Sequence, residues 1–215
     1  MEGGSTTVTD TEDEPRDWRA HDRDDLPATL RAALDCFVQQ GYHGTSIREL
    51  AAAAGLSVAG LYHHHRRKQD LLVACLRHAM EDLWWRSLAA DDPDAAPVDR
   101  LAAHVECLVL FHARRQDLAF VAWSEIRGLE DTERAAHIER RDRQQSLTDA
   151  IVTAGCESGD FALDHPEDTA RALVTMCTGV AQWYRPSGGL TPEDVADRYV
   201  AMALDLVRAR GVRSA

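Results

Sequence analysis

The side chains best suited to chemistry in this chain fall in one short run, Tyr62-His63-His64-His65-Arg66-Arg67-Lys68. Three consecutive histidines suggest a metal, but successive helical side chains point about 100° apart and cannot close on one ion as an i, i+4 pair does. His104 and Cys107 share a helical face, yet no further ligands follow at suitable spacing. No metal or other cofactor is therefore expected. A phenol, imidazoles and an ammonium side by side suit phosphate oxygens instead, a contact that fixes register without reading sequence. Just upstream, Ser57, Val58, Ala59 and Gly60 are small enough to let a backbone approach the floor of a DNA groove. Side chains this short read bases poorly, so Arg48 and the shape of the DNA are expected to carry part of the specificity. The DNA-facing set read from the sequence is Thr45, Ser46, Arg48, Ser57, Val58, Ala59, Gly60, Tyr62, His63, His64 and Lys68. A buried, structural Tyr62 is the competing assignment.

These residues need a scaffold, and the surrounding sequence supplies its grammar. Leu30, Ala33, Leu34, Phe37 and Val38 recur at the spacing of one helical face. Gly41 follows, where a left-handed residue closes a helix without a Cβ clash. Thr45 or Ser46 offers the next N-cap, and Ser46 to Glu49 has capping-box spacing. Ile47, Leu50, Ala51 and Ala54 stripe a short second helix, which Gly55 stops. Ser57 caps a third helix over roughly 58–64, with Leu56 and Leu61 spaced as a hydrophobic staple. Two helices joined by a short glycine-containing turn make a helix-turn-helix, whose second helix enters the major groove.

The block GTSIRELAAAAGLSVAGLYHHHRRKQDLL closely resembles the DNA-binding domain of TetR-family transcriptional regulators. The resemblance implies phosphate contacts from Tyr62, His64 and Lys68. It departs from the family where His65 replaces an aromatic residue and Arg66-Arg67 replace a Pro-Ser-like turn. His65 then becomes a less apolar plug of the small core, and the arginine pair is expected to add phosphate contacts.

Bulk charge points the other way, at a formal −12. Its distribution resolves the conflict. Residues 1–25 hold nine acidic and three basic side chains, whereas 26–71 hold five basic and three acidic. The domain plan is a disordered acidic tail (1–25), a locally positive helix-turn-helix domain (26–71) and a helical effector-binding and dimerisation domain (72–211). The five cysteines are odd in number with no C-x-x-C pair, which indicates reduced, buried thiols. No signal pattern or long apolar span is present, so a cytoplasmic protein with no membrane partner is expected.

Beyond residue 72 no strand pattern appears, and an all-α protein of about nine helices is predicted. Helices are expected at 68–88, 98–114, 117–128, 131–155 and 166–185, and a last one capped by Thr191 with Pro192 at its first position. Met176, Val180, Tyr199, Met202 and Leu206 lie on apolar faces too rich for a solvated surface. They predict a homodimer, which a palindromic operator requires, and the TetR resemblance places dimerisation in the last two helices. Phe111, Phe120, Trp123 and Trp183 are candidates to line an effector pocket between the middle helices. The segment QWYRPSGGLTPEDVADRYVAMAL resembles the TetR subgroup that responds to acyl-CoA thioesters. That resemblance makes an acyl-CoA the candidate effector, with Arg114, Arg115, Arg140, Arg141 and Arg143 as cations for its phosphates. No nucleophile elbow or glycine-rich phosphate loop is present, and an enzyme is not expected. The reading is a homodimeric, effector-released repressor on a palindromic duplex; the alternative is a helical small-molecule sensor without operator binding.

Overall fold

The structure, a computed structural model, describes residues 16–21 and 26–207, with the side chain of His64 excepted. The rest of the expected acidic tail (1–15 and 22–25), residues 208–211 of the second domain and the His64 phosphate contact lie outside the described residues. Nine α-helices and one 3₁₀ turn are present among them, and no strand.

Three helices build the head. Helix α1 (Ala28–Gly44) buries Leu30, Ala33, Leu34 and Phe37, the predicted stripe. Gly41 sits at φ +71° as a left-handed break, but helical hydrogen bonding resumes past it to Gly44. Helix α2 (Ile47–Ala53) opens on a complete capping box. Ser46 Oγ accepts from the Glu49 amide at 3.2 Å, and Glu49 accepts from the Ser46 amide at 2.7 Å. Gly55, at φ +67°, makes the turn, and α3 (Val58–His64) starts where Ser57 Oγ accepts from the Gly60 amide at 3.0 Å. Fully buried Leu61 anchors α3 against the head core.

The body follows as α4 (Lys68–Ala90), α5 (Pro97–Arg114), α6 (Gln116–Ser124), the 3₁₀ turn Glu125–Gly128, α7 (Asp131–Ser158), α8 (Pro166–Trp183) and α9 (Pro192–Leu206). The predicted 117–128 helix is thus two elements, because α6 tightens into the 3₁₀ turn at Glu125. Helix α7 runs on to Ser158, closed by Gly159 at φ +79°. Helix α8 stops at Trp183, ahead of Pro186, because Tyr184 is already extended. At α9, Thr191 Oγ1 accepts from the Asp194 amide at 3.1 Å as the sequence predicts. Helix α5 is the hub, packing on α4, α6, α7, α8 and α9. Its Leu101, Val105, Leu108 and Phe111 are buried. All five cysteines are free thiols; Cys75, Cys107 and Cys177 are buried, Cys36 and Cys156 partly so.

The tail assignment fails for residues 16–21. Trp18 is buried, and Arg86 Nη1 donates to the Trp18 and Ala20 carbonyls at 2.7 and 2.8 Å. Arg19 adds a forked pair to Glu106 on α5. Arg86 is itself oriented by buried Asp82, at 2.9 Å. A buried ion pair with its donors spent on carbonyls is a specific clasp rather than a general source of stability.

Candidate DNA-binding surface and effector cavity

The head presents α3 as the capped helix of a helix-turn-helix. Ala59, Tyr62 and His63 face solvent, and Tyr62 is 44% exposed, which removes the core-aromatic reading. Arg48 on α2 and the Ser46 and Ser57 caps are also exposed, and Gly60 is partly so. Val58 is half-buried and packs on the head core, so it supports α3 more than it faces outward.

Three expected contacts need correction. Thr45 is buried, with Oγ1 donating to the Gly41 carbonyl at 2.8 Å, so it ties the α1–α2 turn and does not face DNA. Lys68 turns inward, with Nζ donating to the Tyr42 and Thr45 carbonyls at 2.7 and 2.9 Å and lying 4.1 Å from the Tyr42 ring centre. Those carbonyls close α1, where helical acceptors lack partners and a cation is favoured. At most its third proton is left for a phosphate. Arg67 binds Asp70 at 3.2 Å and Glu130 at 2.8 Å, joining the start of α4 to the start of α7. His65 caps the end of α3 and is half-buried, as a less apolar plug would be.

The head meets the body through the 3₁₀ turn after α6, a joint that the sequence did not reveal. Glu125 accepts from the Tyr42 amide at 3.0 Å, and the Tyr42 ring lies against Gly128 so closely that a Cβ there would stand 2.7 Å from it. The only hint in the sequence was a glycine in an otherwise helical segment.

Between α4, α5, α6, α7 and α8 lies a cavity of about 500 Å³, within the range of small-molecule sites. Met80, Leu83, Phe111 and Val174 give it an apolar wall, and Trp123, 54% exposed, stands on its lining. Two expected lining residues are elsewhere. Phe120 packs against the core, and Trp183 stacks on Tyr199 with ring centres 6.3 Å apart, outside the cavity. Of the five arginines considered for phosphates, Arg141 lines the cavity, joined by Arg171, which sequence reading passed over. Arg114 is paired with Glu193, Arg115 lies 3.4 Å from Asp82, Arg140 donates to the Ala136 carbonyl, and Arg143 covers the Trp84 ring.

Polar groups reach deep into the body. His112 Nδ1 lies 2.6 Å from the Leu108 carbonyl, His137 Nε2 3.2 Å from the Ala122 carbonyl, and His104 Nε2 2.9 Å from Thr148 Oγ1. Burial pushes all three pKa values down to about 4. His21, under burial and the field of Arg86, Arg115 and Arg114, is pushed down to about 3. His104 is thus a core histidine on a threonine, and among the described residues no group of three or more His, Cys, Asp or Glu side chains is arranged to hold a metal. None of the described helices is long and apolar enough to cross a membrane.

The outer faces of α8 and α9 carry further apolar surface. Trp183, Met202 and Leu206 are 44–47% exposed, with Met176 and Tyr199 half-buried beside them. Val180, assigned by sequence to an interface, is fully buried in the chain's own core instead.

Comparison with known proteins agrees with this geometry. Residues 30–75 match the family described as bacterial regulatory proteins, tetR family, and residues 94–207 match the tetracyclin repressor-like C-terminal domain. The chain is 30% identical over 189 residues to the HTH-type transcriptional repressor KstR2 of Mycobacterium tuberculosis, covering 85% of this chain and 92% of that protein. A tetR-family regulatory protein from Rhodococcus RHA1 superimposes with a TM-score of 0.80 at 31% identity, over 84% of this chain and 95% of that one. AibR, solved in complex with isovaleryl coenzyme A and operator DNA, superimposes with a TM-score of 0.76 at 29% identity, over 81% and 95%. An exposed, doubly capped α3, a cavity in the body behind it and these likenesses converge: the chain belongs to the TetR family of DNA-binding transcriptional regulators.

Proposed function

We propose that two copies of this chain pair through the outer faces of α8 and α9 and set their α3 helices in successive major grooves of a palindromic operator. A small molecule entering the α4–α8 cavity then releases the complex. Arg48 and the first turn of α3 read the site, while Tyr62 and His63 hold phosphates. The observation that carries this reading is the continuity of α6. Its Ala119, Ala122 and Trp123 line the cavity, and the 3₁₀ turn that follows holds Tyr42 at the end of α1 through Glu125. A ligand that shifts α6 therefore shifts the support of the head, provided it binds the two arrangements with different affinity.

An acyl-CoA thioester fits this scheme as the effector. AibR supports it as a structural neighbour seen with isovaleryl coenzyme A, and Arg141 and Arg171 supply cations on the cavity lining. We place the regulator in the cytoplasm, where its operator and such thioesters occur together.

The test is fluorescence anisotropy with duplexes from DNA upstream of the gene. Saturable, salt-sensitive binding is expected, weakened uniformly by Tyr62→Phe and made less selective by Arg48→Ala. Addition of acyl-CoA esters is expected to raise both the dissociation rate and the melting temperature. Absence of any specific duplex would return the chain to a sensor without operator binding.

A further inference from the structure

Five neutral polar side chains on the wall of the α4–α8 cavity, which also carries Arg141, Arg171 and Asp142, have one property in common: a proton committed within the protein. His112 Nδ1 lies on the Leu108 carbonyl and His137 Nε2 on the Ala122 carbonyl. A carbonyl has no proton to give, so in each ring the bonded nitrogen is the donor and the other carries a lone pair. Burial holds both rings neutral, since their pKa values lie at about 4. Thr175 and Thr178 donate their hydroxyl protons to the Arg171 and Val174 carbonyls of their own helix, at 2.7 and 2.9 Å, which leaves their oxygens as acceptors.

Gln144 completes the set. Its Nε2 donates to Ser87 Oγ at 2.7 Å, and its buried Oε1 has no hydrogen-bond partner among the described residues. All five of these residues line the cavity. Gln145, beside them, spends one of its two amide protons on Asp149 at 2.8 Å.

We propose that this wall selects an effector whose buried part is an apolar body bearing hydroxyl groups, because His112, His137, Gln144, Thr175 and Thr178 each offer it an acceptor. The inference rests on the effector reading of the cavity and narrows it. An unsubstituted alkyl chain would strip water from these acceptors and return nothing. A carbonyl or ether oxygen would face them lone pair to lone pair. An ammonium would also donate, but it would give up its hydration to neutral acceptors, with the Asp142 carboxylate on the lining already set beside Arg141 and Arg171. If the effector is a thioester, its acyl part carries the hydroxyls and the arginines take its phosphates.

A matched pair of probes tests this without knowledge of the natural effector. Bisphenol A and its dimethyl ether share an apolar body, and the ether replaces each donating hydroxyl hydrogen with a methyl group. Calorimetric titration of the full-length protein without DNA is expected to show the bisphenol binding at least about tenfold tighter, about 1.4 kcal/mol. Gln144→Met and Thr178→Val, each of which removes an acceptor at similar volume, are expected to bring the ratio toward one. Equal or tighter binding of the ether overturns the proposal. So does a ratio unchanged in both variants, or failure of the bisphenol to bind up to its solubility. Anisotropy with operator DNA separates the two readings. A bisphenol that binds with the expected preference and leaves the operator complex intact refutes ligand release, and the donor rule stands.

Discussion

Replacing Lys68 with methionine separates two roles that a lysine at the start of α4 can play. In the structure its ammonium closes the end of α1 on the Tyr42 and Thr45 carbonyls and lies over the Tyr42 ring. A hydrogen bond to a charged group is worth about 1.5–3 kcal/mol and an exposed cation–π contact about 0.5–1 kcal/mol. Lys68 is only half-buried, and water reclaims part of each. The net loss expected on Lys68→Met is therefore about 2–3 kcal/mol. For a chain of this size that is a fall of roughly 5–10 °C in melting temperature. The variant should bind operator more weakly because the α1–α2 turn loosens, yet its dependence on salt should match the parent's. A lysine gripping a phosphate behaves the other way. Its loss lowers the slope of log K against log salt by about 0.9 and leaves stability nearly unchanged. Thermal unfolding and anisotropy across a salt series measure both quantities on one preparation. A slope reduced by about one, with the melting temperature intact, would refute the inward role.

Three further outcomes are expected. Gly128→Ala should cost about 1–3 kcal/mol by driving a Cβ into the Tyr42 ring, 2.7 Å away. It should also shorten the lifetime of the operator complex with α2 and α3 untouched, which dissociation kinetics will show. Trp183→Glu combined with Leu206→Glu should leave a folded monomer by sedimentation at micromolar concentration, since both side chains stand exposed on the α8–α9 face; an unchanged dimer would move the interface elsewhere. His104 and His112 have folded pKa values near 4 against 6.5 for the ordinary side chain. Below about pH 6.5 the unfolded chain binds their protons first, so stability is full above that pH and drains as pH falls toward 4, by on the order of 2–4 kcal/mol for each ring. A melting temperature that stays level from about pH 7 to about pH 5 would contradict this.

What the sequence revealed divides along the range of the forces involved. Ser46, Glu49, Ser57 and Thr191 were readable as caps because a cap is satisfied within three residues of itself. The limits of α3 were readable for the same reason. Val180 and Trp183 were not separable. They lie one turn apart on α8, and only the packing of α8 on α5, α6 and α7 decides that the first faces inward and the second outward. Thr45 and Lys68 look like surface residues in sequence, and their inward bonds depend on the turn after the Gly41 break. Phe111 and Trp123, expected at an effector pocket, line the cavity. The acceptors beside them escaped notice because a proton's commitment to a carbonyl is a fact of three-dimensional geometry.

The clasp of Arg86 on Trp18 and Ala20 has a mechanical consequence. Because the chain is pinned to the body shortly before α1 and rejoins it through α4, the head is a span between two abutments, steadied by the 3₁₀ turn at Tyr42, rather than a pendulum on one hinge. A roll about the line between those abutments bears directly on the joint of Tyr42 with Glu125. A swing that lifts one side away must first break the hydrogen bonds of Arg86 to the Trp18 and Ala20 carbonyls. Both abutments rest on α4, one at its first turn and the other at Arg86 near its far end. A change in that one helix therefore reaches the recognition surface as a change of tilt, which alters the angle of α3 in its groove.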